Sequence, residues 1–267
     1  MNKLWLKQTT AIARFELKRF ILARRWIGIY VLALAPVILM YAWSRMRVVP
    51  GDIGRLAASQ GFAIVFQFMV EFGIFISCAV VFSQLFRGDI LEKTLHFPLL
   101  APVRREIIAA GKYLAGVMLV ATLFSVSTAA ALLLRYSGTA DFTAFFFDGP
   151  GWLYLLRYVA VAILATVGYG AVFLLVGLVF KNPGVPTLFL LGWESFNFAL
   201  PSVLQRFSIT HYITPILPVQ LDRGPFAIVM DQTAPIVGIP IVLAFAAVLV
   251  AIAGLFLRTV EVTYSAE

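Results

Sequence analysis

Long apolar runs alternate with short charged segments along the whole chain, and this pattern predicts helices that cross a membrane. Six runs hold about 18 or more residues with few or no charges, which is roughly what an α-helix needs to span the hydrocarbon core. The predicted spans are 26–43, 62–86, 113–134, 153–180, 185–204 and 235–257. The predicted fold is therefore an all-α polytopic membrane protein with six transmembrane helices, forming a single transmembrane domain over 1–267.

Proline and glycine mark the breaks in this pattern. Lys181-Asn182-Pro183-Gly184 predicts a tight turn between the fourth and fifth runs, because Pro and Gly interrupt helices. The segment 205–234 is apolar but is broken by Pro215, Pro218 and Gly224. Irregular backbone inside a bilayer must be buried in protein, so this segment predicts exterior re-entrant or interfacial helices.

Composition supports the membrane class and explains the basic charge. Hydrophobic residues make up 61% of the chain and charged residues 13%, whereas soluble domains carry roughly 45–50% and about 25%. The net charge of +8 would suggest nucleic-acid binding in a soluble protein. Here the basic residues lie mostly between the apolar runs, so we predict membrane lipids and no nucleic acid as partners.

The distribution of Lys and Arg predicts the orientation of the spans. With the N-terminus inside, 14 basic residues lie on the cytoplasmic side and 7 on the exterior side. Cytoplasmic loops carry the excess of Lys and Arg in membrane proteins. Both termini are therefore predicted to lie in the cytoplasm.

The segment 1–25 precedes the first span without a turn signal. Arg14 and Lys18 fall on one stripe of a helix, and Ile12 and Phe15 fall on an adjacent stripe that Glu16 and Arg19 interrupt. Such a pattern predicts an amphipathic helix on the inner leaflet. The alternative is that its positive charge only sets the topology.

The cytoplasmic segment 87–112 between the second and third spans alternates charged and apolar residues. A short helix before Pro98 and a turn at Pro102-Val103-Arg104-Arg105-Glu106 are the elements it predicts. From the residues alone, a docking element for a cytoplasmic partner and an ordinary solvated loop are equally supported.

This segment resembles the coupling region of type-2 ABC exporter permeases. The matching positions are Glu92, Thr94-Leu95, Leu99-Leu100, Pro102-Val103-Arg104-Arg105, Ile107-Ile108 and Gly111-Lys112. The charged N-terminal segment resembles the connecting helix of that family. The residues Trp193-Glu194, Leu200-Pro201 and Phe207–Ile213 resemble the end of its fifth span and the region that follows. The chain differs at Lys93, where many members carry Gly before the Thr.

The resemblance implies the permease subunit of an ATP-binding cassette exporter, with a coupling helix between spans two and three. It implies that Glu92, Thr94, Leu95, Pro102, Arg104, Arg105, Glu106 and Lys112 couple the permease to its ATPase. The permease would be a homodimer or heterodimer in the bacterial cytoplasmic (inner) membrane. Its small exterior suits a lipid-like or amphipathic substrate.

The ATPase is expected on a separate chain. No Walker A sequence is present to hold nucleotide phosphates, and the segments outside the spans are too short for a nucleotide-binding domain. The chain itself is therefore predicted to be non-catalytic and without a cofactor. Two copies of a partner ATPase would carry ATP and Mg.

Polar residues inside the predicted spans are the other candidates for function. Glu71, Glu194 and Asn197 are possible translocation-path residues, because intramembrane carboxylates are costly and usually face the bundle interior. A structural hydrogen-bonding role is the alternative for each Glu. An ATP-independent secondary transporter or channel that uses Glu71 and Glu194 is the alternative function. A membrane enzyme has no catalytic constellation here, and His96 and His211 are too few to form a metal site.

Overall fold

The structure is a computed structural model that describes residues 2–22, 26–45, 52–91, 103–137, 142–221 and 233–259. These residues form α-helices joined by short turns, with no strand among them. The helices are α1 (Asn2–Leu22), α2 (Ile27–Ser44), α3 (Asp52–Phe68), α4 (Phe75–Leu91), α5 (Arg105–Ser137), α6 (Gly151–Val179), α7 (Gly184–Ser195), α8 (Ser202–Gln205), α9 (Ile209–Ile213) and α10 (Pro235–Thr259). A π-helical turn, Met69–Ile74, joins α3 and α4 into one continuous helix.

Five helices are long and apolar enough to cross a membrane. They are Ile27–Ser44, Ala57–Asp89, Arg105–Ser137, Gly151–Val179 and Pro235–Arg258. Each coincides with one of the apolar runs that the sequence predicts as spans. An all-helical chain that fits a multi-pass membrane protein is therefore confirmed.

The predicted span 185–204 does not form a single spanning helix. Helix α7 ends at Ser195 after 12 residues, whereas a membrane-spanning helix needs about 20. Leu200 is extended, with φ −81° and ψ 151°, because the residue before a proline, here Pro201, disfavours the helical conformation. The chain then continues through α8 and α9 as short pieces, so the count of six continuous spans is not confirmed.

Helices α5 and α6 lie at the centre of the bundle, with α1, α2 and α10 packed on α5, and α4 and α10 packed on α6. Glycine allows the closest of these approaches. A Cβ atom at Gly177 in α6 would lie 2.4 Å from the Cα of Ser83 in α4. Small residues permit such contact between helix backbones in membranes.

The bundle has two distinct ends. At one end Arg105 donates hydrogen bonds to the carbonyls of Leu257 and Arg258, at 2.5 and 2.9 Å, and so joins the start of α5 to the end of α10. At the other end the guanidinium of Arg135 lies 4.8 Å from the ring centroid of Trp43. Helix α1 packs at the first of these ends, on the start of α5.

The orientation of these ends can be tested by cysteine labelling in a variant whose buried Cys78 is replaced by Ala. Ser137 is exposed at the end of α5 beside Arg135. Ser137→Cys is expected to react with a membrane-impermeant maleimide in intact cells, and Lys93→Cys only after permeabilisation. Labelling of position 93 in intact cells would reverse the predicted orientation.

Candidate functional site

Four charged residues from α1, α4 and α5, of which three are buried and Arg19 is half-buried, form a group here called the charge cluster: Glu16, Arg19, Asp89 and Lys112. The ammonium of Lys112 forms an ion pair with Glu16 and lies 2.6 Å from Asp89 Oδ2. It also donates a hydrogen bond of 3.0 Å to the carbonyl of Leu85. All three donor positions of the ammonium are therefore used.

Arg19 completes the charge cluster from α1. Its guanidinium donates a 2.6 Å hydrogen bond to Asp89 Oδ1 and lies 3.9 Å from Glu16. Lys112, Asp89 and Glu16 are 1%, 4% and 5% exposed. The two acids and the two bases of the charge cluster balance in charge. Removal of one member of a buried ion pair typically lowers the free energy of unfolding by about 3–5 kcal/mol.

The Gly111-Lys112 pair explains how α1 reaches this position. A Cβ atom at Gly111 would lie 2.8 Å from Ile12 Cβ, so α1 packs directly on the backbone of α5 there. This close approach brings Glu16, one turn further along α1, to the ammonium of Lys112. The sequence signal was present, since Glu16 and Arg19 are the residues that interrupt the apolar stripe of α1.

The charge cluster lies at the two ends of the predicted coupling segment 87–112. Asp89 lies near the start of the segment and Lys112 is its last residue, whereas Glu92, Thr94, Leu95 and Pro102 lie outside the described residues. Lys112 is buried, so its side chain is not on the surface where a partner could contact it.

The residues at the start of α5 have separate roles. Arg104 is exposed, and its guanidinium lies 4.9 Å from the ring centroid of Trp5 in α1. Arg105 is held by the two carbonyls at the end of α10. Glu106 forms an ion pair with Arg258. Of these three predicted coupling residues, Arg104 is the one most open to a partner.

A second polar site lies inside the bundle, around the carboxylate of Glu194. Oε2 of Glu194 accepts hydrogen bonds from the hydroxyls of Tyr169, Ser208 and Thr210, at 3.0, 2.7 and 2.6 Å. It also accepts the backbone N–H of Thr210, at 3.1 Å. Oε1 accepts the backbone N–H of Ile209, at 3.1 Å. We call these five residues the carboxylate site.

The carboxylate site stabilises the broken path between α7 and α10. Backbone N–H groups at the start of a helix have no partner within the helix, and hydrocarbon offers none. Glu194, at the end of α7, supplies acceptors to the first N–H groups of α9. This geometry supports the structural, hydrogen-bonding alternative for Glu194.

Glu71 lies close to the carboxylate site but is held more loosely. It lies in the π-helical turn between α3 and α4, a feature frequent at functional sites. Among the described residues it accepts one hydrogen bond, 2.9 Å long, from Gln67. Glu71 and Thr210 line the same small cavity, of about 20 Å³. Thr210 therefore bonds one of the two predicted intramembrane carboxylates, Glu194, and shares a cavity with the other, Glu71.

Asn197 forms no hydrogen bond with the described residues of the charge cluster or the carboxylate site. Its side chain is fully buried, and neither its amide nitrogen nor its oxygen has a partner among the described residues. His211 is also buried, and its Nε2 lies 3.0 Å from the hydroxyl of Thr233. Among the described residues, no group of three or more His, Cys, Asp or Glu could hold a metal ion.

Comparison with protein-family models and with curated proteins finds no match for this sequence.

Proposed function

We propose that this chain is the permease subunit of an ATP-binding cassette exporter, driven by a separate ATPase through the segment 87–112. The observation that carries the proposal is the charge cluster. It fastens the N-terminal helix to both helices that border the segment, and thus provides a rigid connection between that segment and the spans. The motif resemblance of the segment supplies the class of partner.

The charge cluster suits transmission of a movement. When two ATPase copies close on ATP and Mg, a displacement of the coupling segment would move the ends of α4 and α5. Helix α1 would move with them, because breaking Lys112 away from Glu16 and Asp89 would leave buried charges unpaired. Packed elements of this kind shift as rigid bodies between discrete arrangements.

In this proposal the broken segment after α6 makes the fifth of six crossings. Helix α7 would cover one half of the bilayer, and α9 with the turn Thr214–Ile216 would continue towards the exterior. Transporters use such interrupted helices where protein satisfies the backbone, as Glu194 does here. Both termini would then lie in the cytoplasm of a bacterial cell, with the protein in its inner membrane.

A second copy of the permease would complete the transporter. Many outward-facing side chains of α2 and α10 are apolar, and only 22% of the residues in an 18-residue apolar stretch of each helix are buried. Ile38 and Val31 are 63% and 60% exposed. Such faces contact either lipid or the partner permease, which could be an identical or a related chain.

The proposal is tested by reversing the exposed charge of Arg104. Arg104→Glu is expected to weaken association with the ATPase by about tenfold or more, because an interfacial charge pair contributes about 1–3 kcal/mol. The measurement is co-purification of the ATPase, together with ATP hydrolysis in reconstituted membranes. Arg45→Glu, a reversal of an exposed arginine at the opposite end, is the matched control.

Arg105→Glu separates contact from folding in the same assay. Arg105 caps the end of α10, so its reversal is expected to lower thermal stability as well as association. If Arg104→Glu keeps wild-type association and hydrolysis, the segment is ordinary solvated chain and the proposal fails.

A secondary transporter or channel is the second candidate. The observation in its favour is that Thr210 bonds Glu194 and lines the same small cavity as Glu71. Transport by the purified chain in vesicles driven by an ion gradient, with no ATPase present, would favour this function over the exporter.

A further inference from the structure

A cavity of about 280 Å³ lies beside the carboxylate site, among α4, α6, α7, α9 and α10. Pockets for small ligands measure roughly 300–1,000 Å³, so this one suits a small molecule or one head group. Seven of its eleven lining residues are aromatic, and Glu194 is the one charged residue among them. An aromatic wall with a single carboxylate is chemically distinctive.

The aromatic rings divide into a floor and a rim. Phe75, Tyr169 and Phe173 form the floor and are 1%, 2% and 0% exposed. Their rings meet edge to face, with centroids 5.2 Å apart for Phe75 and Tyr169. Phe189 and Phe207, at the rim, are 69% and 76% exposed. The cavity therefore opens onto the apolar surface of the bundle.

The charge of Glu194 is not balanced by a cation of this chain. Its five hydrogen-bond donors are hydroxyls and backbone N–H groups, all neutral. Within the described part of the chain, no ion pair includes Glu194. Oε1 accepts one bond where Oε2 accepts four, so Oε1 keeps capacity for a further partner.

We infer that this cavity binds a lipophilic organic cation, such as a quaternary ammonium group that carries an aromatic or alkyl substituent. Aromatic faces attract cations, and quaternary ammonium groups are recognised in this way. The carboxylate adds a second attraction that a neutral or anionic molecule lacks. The apolar walls offer no hydrogen-bond acceptors. A quaternary ammonium group has no N–H groups, so it requires none.

If the chain is an exporter permease, the cation is the class of molecule that it exports. This assignment of the exported molecule rests on the proposed function. Binding is measured on the purified full chain in nanodiscs, with no ATPase or ATP present. If the chain fails to bind the cation, the result of the ATPase association test is not affected. If the ATPase association test fails, the cation-binding site is not contradicted.

The probes are three molecules of nearly equal shape: benzyltrimethylammonium, its neutral isostere neopentylbenzene, and the anion benzylsulfonate. Equilibrium dialysis, corrected with empty nanodiscs, is expected to show the cation bound at least about tenfold more tightly than the neutral isostere. The anion is expected to show no binding above empty nanodiscs.

Two variants assign the binding to the cavity. Glu194→Gln is expected to lower the ratio of cation affinity to neutral-isostere affinity about tenfold or more. Phe189→Leu, at the exposed rim, keeps apolar volume without a ring face and is expected to reduce cation affinity severalfold without loss of folding. Phe147→Leu, an exposed ring outside the cavity, is the control.

Equal binding of cation and neutral isostere would overturn the inference and assign the cavity to any small apolar molecule. Cation binding that neither Glu194→Gln nor Phe189→Leu weakens would also overturn it, because the site would then lie elsewhere.

Discussion

Lys112→Met is expected to destabilise the protein by about 3–5 kcal/mol. The substitution keeps most of the side-chain volume but removes the ammonium that Glu16 and Asp89 share. Both carboxylates then remain buried with Arg19 as their one basic neighbour in the charge cluster. The measurement is thermal unfolding of the detergent-purified protein, followed by trypsin cleavage within α1 under native conditions.

A charge-balanced version of the charge cluster separates lost pairing from lost packing. The double variant Lys112→Met, Glu16→Gln removes one acid and one base and leaves Arg19 paired with Asp89, so it is expected to recover more than half of the lost stability, because uncharged replacements of a buried ion pair are often tolerated. Lys181→Met, at an exposed lysine, is the control and should lie within about 0.5 kcal/mol of wild type. Wild-type stability of Lys112→Met would mean that the charge cluster does not fasten α1.

Glu194→Ala is expected to have the second large effect. It leaves the backbone N–H groups of Ile209 and Thr210 without acceptors inside the bundle, at about 1–3 kcal/mol for each group. The released hydroxyls of Tyr169 and Thr210 can still pair, since they lie 3.1 Å apart. We expect a total loss of about 2–6 kcal/mol in the free energy of unfolding.

Glu194→Gln tests which property of the carboxylate matters. One amide oxygen can replace Oε2, but the amide nitrogen cannot accept the N–H of Ile209 that Oε1 accepts. An intermediate loss, of about 1–3 kcal/mol, is therefore expected. Glu71→Ala, which loses a single bond to Gln67, is the comparison and should cost less than Glu194→Ala. Transport can also be assayed in vesicles that contain no ATPase. If Glu194→Gln is as stable as wild type but abolishes this transport, the carboxylate acts as an ion or proton relay.

Much of the helical framework could be predicted from the sequence. The long helices follow directly from apolar length, and α1 follows from the absence of a turn signal before the first span. The broken path after α6 could not be predicted from apolarity alone. Its residues are as hydrophobic as those of a span, and the break depends on Pro201 and on the capping of α9 by Glu194.

The two polar sites differ in how far the sequence revealed them. Glu194 was found because a carboxylate in an apolar run is conspicuous, but its partners Tyr169 and Thr210 are 25 and 16 residues away along the chain. The charge cluster was missed, since Glu16 and Lys112 are 96 residues apart. From the sequence, charged residues next to a predicted span are expected to be solvated. The packing of α1 on α5 is what buries Glu16 and Lys112.

Cross-linking from the coupling segment tests the central claim most directly. A photo-activatable amino acid at Lys93 would be irradiated in native membranes, and the adducts purified under denaturing conditions and identified. The account predicts a major adduct with a chain that carries a Walker A sequence and binds ATP, and no such adduct from the same amino acid at Ser137. The account would be contradicted if no ATP-binding chain is found among the adducts of position 93. It would also be contradicted if such a chain is cross-linked equally from position 137.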